Sequence, residues 1–317
     1  MSTSSYDNAT RGIFFKADGS RVYVVGTQTN TVYEYEIPTA WDLTSVVNEA
    51  ASRLFSVSSQ ANSARDIYFN STGTTFYIVN DNGYIYEYSL STAWNVSTAS
   101  YTNNSFDTSS QGSGAQAMFL GNGNMYVVND ATNQAYQYNF SQAGLVLGSG
   151  SFASTDVGKR IVGNGGDVIL TSTGGAYSTT GGSAFTDNST IAAGSWSMFG
   201  LKSAGDADGI TVAGINNVVP VNLSNASYDN VFGNLSTSQN GSDDGVFFKP
   251  DGTRFYVLDT GGGSHKVYEY HLSPAWDLSN PVYWASVNIG NNTSNAGGIF
   301  FKPDGLKMYI VDSSNVQ

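Results

Sequence analysis

The chain has 317 residues, and 25 acidic against 13 basic side chains give it a formal net charge of −12. This acidity disfavours binding to nucleic acids and to anionic membranes, because phosphate contacts need a basic surface. The absence of cysteine excludes disulfides, thiolate catalysis and cysteine-ligated zinc, and no apolar run approaches the ~18 residues of a membrane-spanning helix.

The first predicted elements lie in residues 12–25, which read GIFFKADGSRVYVV. Two apolar runs flank Asp18 and Gly19, a pair that favours the tight turn of a β-hairpin. Both runs are continuous, which is typical of strands buried on both faces. Residues 32–37 then read VYEYEI, whose alternation predicts a half-exposed third strand. The connecting segment 40–43 reads AWDL.

The same succession recurs along the chain, so the sequence consists of repeats. Further copies of the hairpin lie at 66–79, 117–128, 245–258 and 298–311, with degenerate copies at 160–172 and 197–214. The aromatic residue that ends the first strand, or its equivalent, recurs on average every ~48 residues, as expected for propeller blades. These seven markers are Phe15, Phe69, Phe119, Val162, Phe199, Phe248 and Phe301.

Seven markers predict an all-β fold, a seven-bladed β-propeller with four-stranded antiparallel blades. We expect one domain over residues 1–317, with blades that start near residues 12, 66, 116, 160, 197, 245 and 298. The last repeat is too short for four strands, so we expect residues 2–10 to supply a strand to it and close the ring, which removes an exposed sheet edge. The alternatives are an open ring, or one completed from outside this chain.

The phrase FKPDG, followed by VYEY and AWDL, resembles the repeats of seven-bladed propellers of the YVTN/NHL/lactonase-like group. It is also similar to repeats in phage virion proteins and bacterial surface proteins. The resemblance covers nearly the whole chain and is strong over residues 12–96 and 245–311. It implies the fold and leaves the function open. Lactonase-like relatives hold a metal with carboxylates and asparagines around a central pore.

A comparable pore position in this chain lies four residues before each marker. It is occupied in turn by Arg11, Arg65, Ala115, Gly158, Ser195, Asp244 and Gly297. Two cations and one carboxylate are unlike a metal cage, so we expect no metal, no cofactor and no catalytic residues. Arg11, Arg65 and Asp244 are candidates for binding an anion or an acidic sugar. The alternative is that they cap loops and pair with their neighbours.

Three tryptophans, Trp41, Trp94 and Trp276, occupy the same position of the repeat. They are candidates for stacking against sugars in equivalent grooves between blades. The alternative is structural: each indole anchors the connection to the outer strand by burying apolar area.

Sparse charge, a surface rich in Asn, Ser, Thr and Gly, and the lack of a catalytic constellation favour a non-enzymatic structural or adhesive protein. We expect a phage virion component, associated with the tail or a fibre and able to bind a receptor. The alternatives are a bacterial surface or extracellular glycan-binding propeller and a lactonase-like metal-dependent enzyme. The expected partners are other virion or surface proteins and a host glycan, and the expected location is the virion, the cell surface or the extracellular space.

Overall fold

The computed structural model describes these residues: 1–3, 6–46, 52–121, 124–139, 144–147, 160–163, 166–170, 179–180, 196–199, 215–219, 223, 226–235, 242–261, 265–290, 293, 295–313 and 315–316. Their regular structure is β-sheet, joined by three short 3₁₀ helices, which are Leu43–Ser45, Val96–Thr98 and Ser109–Gln111. No helix in this part of the chain is long and apolar enough to cross a bilayer.

The chain separates into two compact units. The first contains Met1–Gly121, Met125–Tyr138 and Tyr228–Gln317, and the second contains Asn122–Asn124 and Asn139–Ser227.

The first unit has the sheets of a β-propeller, which we number as blades along the chain. Blade 1 consists of β1 (Thr10–Phe15), β2 (Arg21–Gly26), β3 (Thr31–Glu36) and β4 (Arg53–Ser56). Blade 2 consists of β5 (Ala64–Phe69), β6 (Thr75–Asn80), β7 (Tyr84–Leu90) and β8 (Ala99–Asp107). Blade 3 consists of β9 (Ala115–Gly121), β10 (Asn124–Asn129), β11 (Gln134–Asn139) and β18 (Ser227–Asn234). Blade 4 consists of β19 (Asp243–Phe248), β20 (Arg254–Asp259), β21 (Lys266–His271) and β22 (Val282–Asn288). Blade 5 consists of β23 (Ala296–Phe301), β24 (Met308–Asp312) and β25 (Asn315–Val316).

The second unit contains the remaining strands. Here β12 (Gly144–Leu147) pairs with β17 (Ile215–Val219), and a four-stranded sheet has the order β15-β14-β13-β16. These four strands are β13 (Arg160–Gly163), β14 (Gly166–Leu170), β15 (Thr179–Thr180) and β16 (Trp196–Phe199).

The predicted hairpin explains how each blade begins. In blade 1 the chain reverses at Gly19, whose φ of 74° lies in the left-handed region that glycine adopts without steric cost. Asp18 fixes the turn by accepting a hydrogen bond from the Ser20 backbone N–H at 2.9 Å. Blade 4 repeats the arrangement at Asp251 and Gly252. The predicted Asp-Gly turns are therefore confirmed in these two blades, because the turn needs a side-chain acceptor and a residue that adopts a positive φ.

The cores of the first unit lie between the faces of neighbouring blades. The first strand of each blade contacts two others: β1 contacts β5 and β23, β9 contacts β5 and β19, and β19 also contacts β23. Buried apolar side chains from blades 1 and 2 form one cluster, and those from blades 3 and 4 form another. This burial on both sides accounts for the continuous apolar runs of the first two strands.

The prediction of seven blades is wrong: the described residues form five. Blade 3 takes its outer strand from β18, so the chain leaves the blade after β11 and returns at β18 with the second unit between them. The degenerate copy near residue 160 forms the hairpin of β13 and β14, and β16, from the copy near residue 197, pairs back onto β13. These two copies therefore share one sheet and do not start separate blades.

The predicted closure of the ring by a strand from residues 2–10 is also not found. In the described residues blade 5 keeps three strands, and the N-terminal segment adds a single bridge from Ser2 to Asn315. The segment turns away because its next side chains are used by blade 1: Tyr6 packs on Tyr33 with ring centres 5.2 Å apart, and Asp7 accepts a hydrogen bond from the Thr29 N–H at 3.0 Å.

Candidate functional site

Each repeated tryptophan lies over the turn glycine of its own blade. The indole of Trp94 stacks on Phe69 with ring centres 5.4 Å apart, and a Cβ added to Gly73 would lie 2.1 Å from that indole. The Trp94 backbone N–H donates to the Gly73 carbonyl at 2.8 Å. The equivalent pairs are Trp41 with Gly19 and Trp276 with Gly252.

The same connectors also join neighbouring blades. A tyrosine hydroxyl on the second strand of a neighbouring blade donates to the carbonyl of each tryptophan. The pairs are Tyr23 with Trp94 at 2.8 Å, Tyr126 with Trp276 at 2.8 Å and Tyr309 with Trp41 at 2.7 Å. Two residues after the tryptophan of blades 2 and 4, a backbone N–H donates to a side chain on the third strand of the preceding blade. Val96 donates to Glu34 at 3.1 Å, and Leu278 donates to Gln137 at 3.4 Å.

These contacts give Trp41, Trp94 and Trp276 the anchoring role that the structural alternative predicts. All three are partly buried, and they lie in the connectors of three different blades. Their role as sugar contacts stays a prediction.

Arg11, Arg65 and Asp244 are brought together where the chain enters its inner strands. Burial raises the pKa of Asp244 to about 6, while a hydrogen bond from Thr260 and the positive charges of Arg11 and Arg65 oppose that rise. Arg65 is paired with Asp81 at 3.0 Å. The charges of Arg11 and Arg65 therefore act on the Asp244 carboxyl. The binding role of these three residues stays a prediction.

A second carboxyl, Asp243, lies beside this group and is fully buried. Neither of its oxygens has a hydrogen-bond partner among the described residues. Burial raises its pKa to about 8, helped by the charges of Asp259, Asp244 and Asp130. We call Arg11, Arg65, Asp243 and Asp244 the inner-strand cluster.

Each arginine has one acceptor, since Arg11 donates to Asn295 at 3.2 Å and Arg65 pairs with Asp81. The Nε of each arginine is buried without a hydrogen-bond partner among the described residues. Binding of an anion or an acidic sugar by this cluster stays a prediction. Within the part of the chain that the structure describes, no three Asp, Glu or His side chains are placed to hold a metal ion. Two positions of the predicted pore set, Gly158 and Ser195, lie outside the described residues.

A different surface, on β22, exposes large apolar side chains. Seven such side chains are exposed in the described part of the chain, and five of them belong to this strand or to the facing turn of blade 5. We call them the β22 surface: Val282, Tyr283, Trp284, Val287 and Leu306. Trp284 is 64% exposed and Leu306 is 82% exposed, which is unusual for residues of their size.

A β-bulge places Trp284 on this surface. Ala285 pairs with Glu269 and Tyr283 pairs with Tyr270, so Trp284 is the extra residue between them. Its indole stacks on His271, with ring centres 4.5 Å apart and planes 14° apart.

Charged groups flank this stacked pair. The Nε2 of His271 lies 2.9 Å from Glu269, whose carboxylate also accepts a hydrogen bond from Arg254 at 2.8 Å. The result is a flat aromatic platform beside a fixed carboxylate.

Beside the platform, a groove of about 420 Å³ runs between blades 4 and 5. Its lining includes Tyr256, Glu269, Val287, Phe301, Gly305 and Leu306. Repeat analysis missed this site because Trp284 has no counterpart in the other repeats. The only sequence signal is the run Val282-Tyr283-Trp284 at an outer-strand position where blade 2 has Ser100, Tyr101 and Thr102.

No family model matches the chain, and no curated protein matches it. Among solved structures, a protein of unknown function from Desulfotomaculum acetoxidans DSM 771 is 12% identical, with 97% of this chain and 78% of that chain covered at a TM-score of 0.35. A candidate 6-phosphogluconolactonase from Bacteroides uniformis ATCC 8492 is 10% identical, with 98% and 80% covered at a TM-score of 0.42.

Proposed function

We propose that this protein is a non-enzymatic structural or adhesive component of a virion or a cell surface, and that it works by binding another macromolecule through the β22 surface. The observation that carries the proposal is that five of the seven large apolar side chains exposed in the described residues lie on β22 or at Leu306. Exposed apolar area of this kind is stabilised when a partner removes it from water.

The proposal is tested by looking for the protein in the assembly to which it would belong. Mass spectrometry of purified particles and isolated cell surfaces from the source organism should find the wild-type chain in one of them. A variant with Trp284→Ser and Val287→Ser should be at least tenfold depleted there, because both side chains are exposed and their loss leaves the folded unit intact.

The matched control is Leu54→Ser, which removes an exposed apolar side chain from blade 1. It should be incorporated like the wild type. Equal incorporation of the double variant, or absence of the wild type from particles and surfaces, overturns the proposal.

The Trp284 platform supports a second candidate, glycan binding. An exposed indole offers a face for the apolar side of a sugar ring, and Glu269 lies beside it to accept hydroxyl hydrogen bonds. On a glycan array the wild type should then bind one class of sugar, and Trp284→Ala should lose that binding while Leu54→Ser keeps it. Binding that survives Trp284→Ala contradicts this candidate.

The hydrolase alternative concerns the inner-strand cluster. We expect no turnover of lactones by the purified protein with added divalent cations. Turnover that Asp244→Asn abolishes would replace the non-enzymatic proposal.

A further inference from the structure

The outer edges of the first four blades are formed by β4, β8, β18 and β22, each of which is the outermost strand of its sheet. Such an edge presents backbone N–H and C=O groups that can pair with a further strand, and proteins block it with charge, a short strand or an irregular backbone. Three of the four edges are blocked in this way. β4 has four residues and includes Arg53, and β8 and β18 contain Asn103 and Asn230 with left-handed φ of 65° and 63°.

The edge of β22 is open after its bulge. The strand reads VYWASVN, which contains no charged side chain and no proline, and all seven residues are exposed. None of them has a positive φ. Trp284 is the bulge residue, and residues 285–288 pair with β21 in unbroken register. Blade 4 has all four of its strands, so this is the outer edge of a complete blade.

The charges next to this edge balance, although the whole chain has a net charge of −12. On β21, Glu269 forms an ion pair with Arg254 at 2.8 Å. Lys266 of the same strand pairs in register with Asp259 of β20. Two copies of a chain with this net charge repel each other, so an uncharged strand with balanced neighbours is the place where a second copy is least opposed.

The sequence of β22 also fits an antiparallel copy of itself. A twofold axis at Ser286 places Ala285 opposite Val287 and Trp284 opposite Asn288. Because opposite residues of an antiparallel pair contact each other, large side chains are best placed opposite smaller ones and like charges are unfavourable. In this register no two aromatic rings and no two charges lie opposite each other.

We propose that two copies of the protein pair antiparallel through the edges of β22, around a twofold axis at Ser286, so that their fourth blades form one continuous sheet. The backbone groups of residues 284–288 supply the hydrogen bonds, and Val287 of each copy packs beside Ala285 of the other. This inference rests on the proposed function, because it names a second copy of the chain as the partner of the β22 surface.

Sedimentation of the whole protein at rising concentration tests the pairing. The mass of the wild type should rise from that of one chain to that of two. Ser286→Lys and Ser286→Glu should each raise the dissociation constant at least tenfold, because like charges then lie opposite each other at the twofold axis. A mixture of the two variants in equal amounts should form dimers again, since a lysine then lies opposite a glutamate.

A cysteine variant locates the axis. The wild-type chain has no cysteine, so Ser286→Cys carries a single thiol. Opposite residues of an antiparallel pair have Cα atoms about 5 Å apart, which is within the range that a disulfide spans. Oxidised glutathione should therefore link two copies of Ser286→Cys. The matched control is Leu54→Cys, on the exposed outer strand of blade 1, which should be linked at least tenfold more slowly.

A wild type that stays monomeric at every concentration overturns the inference, and so does equally fast linking of Ser286→Cys and Leu54→Cys. Neither result depends on the folding of the lysine and glutamate variants. The proposed function fails separately. If the chain is monomeric but the Trp284 and Val287 double variant is lost from particles, the pairing falls and the β22 surface binds a different partner. If the dimer forms but the protein is in no particle or surface, the pairing stands and the proposed function falls.

Discussion

At the scale of residues, Asp243 is the member of the inner-strand cluster whose charged form is the least favourable. A carboxylate without hydrogen-bond partners is unfavourable in a buried site, so the site retains the proton instead. The repeat alignment could assign Arg11, Arg65 and Asp244 to equivalent positions at the entry to the inner strands of their blades. It could not predict their other neighbours, Asp81 and Asp130, which follow the second strands of their blades.

Asp243 makes stability depend on pH. Its pKa is about 8 in the folded protein against 3.8 for a free side chain, so between these values only the folded state holds the proton. The free energy of unfolding should therefore fall as pH rises from about 4 to about 8, by up to ~1.4 kcal/mol per pH unit for one group. Asp243→Asn should reduce this fall in urea unfolding measured at pH 5, 6.5 and 8.

The control for this prediction is Glu36→Gln, which alters an exposed carboxylate of blade 1. It should keep the pH dependence of the wild type. Identical slopes for Asp243→Asn and the wild type would show that the carboxyl is not protonated in the folded state.

At the scale of elements, the turn and the connector of a blade form one packed unit. The sequence showed both as repeated motifs, but it could not show that Trp94 lies on Gly73, because that contact depends on how the connector folds back over the hairpin. The same limit applies to Trp284. Its position on the surface follows from a bulge in β22, which leaves no periodic signal.

Two matched glycine variants measure this packing. Gly73→Ala combines a positive φ with a clash against Trp94, and we expect a loss of about 2–5 kcal/mol of unfolding free energy. Gly305→Ala has a similar φ and open space, so backbone strain alone should cost about 1–2 kcal/mol. Urea unfolding of both variants gives the difference, and equal losses would contradict a packing role for the tryptophan.

At the scale of the whole molecule, the second unit explains why a seven-fold pattern was predicted. Its β13–β14 hairpin and β16 carry apolar runs and glycine turns like those of blades. The markers Val162 and Phe199 therefore fall near the expected spacing by local resemblance alone. Only the pairing of β18 with β11 shows that these two markers belong to an insertion. Strand pairing between residues so far apart in the sequence is not visible in local periodicity.

Because the insertion lies between β11 and β18, we expect blade 3 to form without residues 140–226. The N–H of Leu235 donates to the carbonyl of Asn133, and Gln137 donates to Asp229, so β11 and β18 run antiparallel and the end of β11 lies near the start of β18. Replacing residues 140–226 with a short Gly-Ser turn should leave a cooperative thermal transition within a few degrees of the wild type. A variant without a cooperative transition in circular dichroism would show that the five blades need the insertion to fold.

The hydrogen bonds between blades 5 and 1 have a consequence for the order of folding. Tyr309 reaches Trp41, and the Thr10 hydroxyl reaches the carbonyl of Asp312, across separations of 268 and 302 residues. The entropic cost of closing such a loop grows with the logarithm of its length and must be met before these contacts return any energy. The side of β1 that contacts blade 5 therefore stays exposed during synthesis until the hairpin of β23 and β24 has been made. We expect this interface between blades 1 and 5 to form late and to be prone to wrong association before it forms.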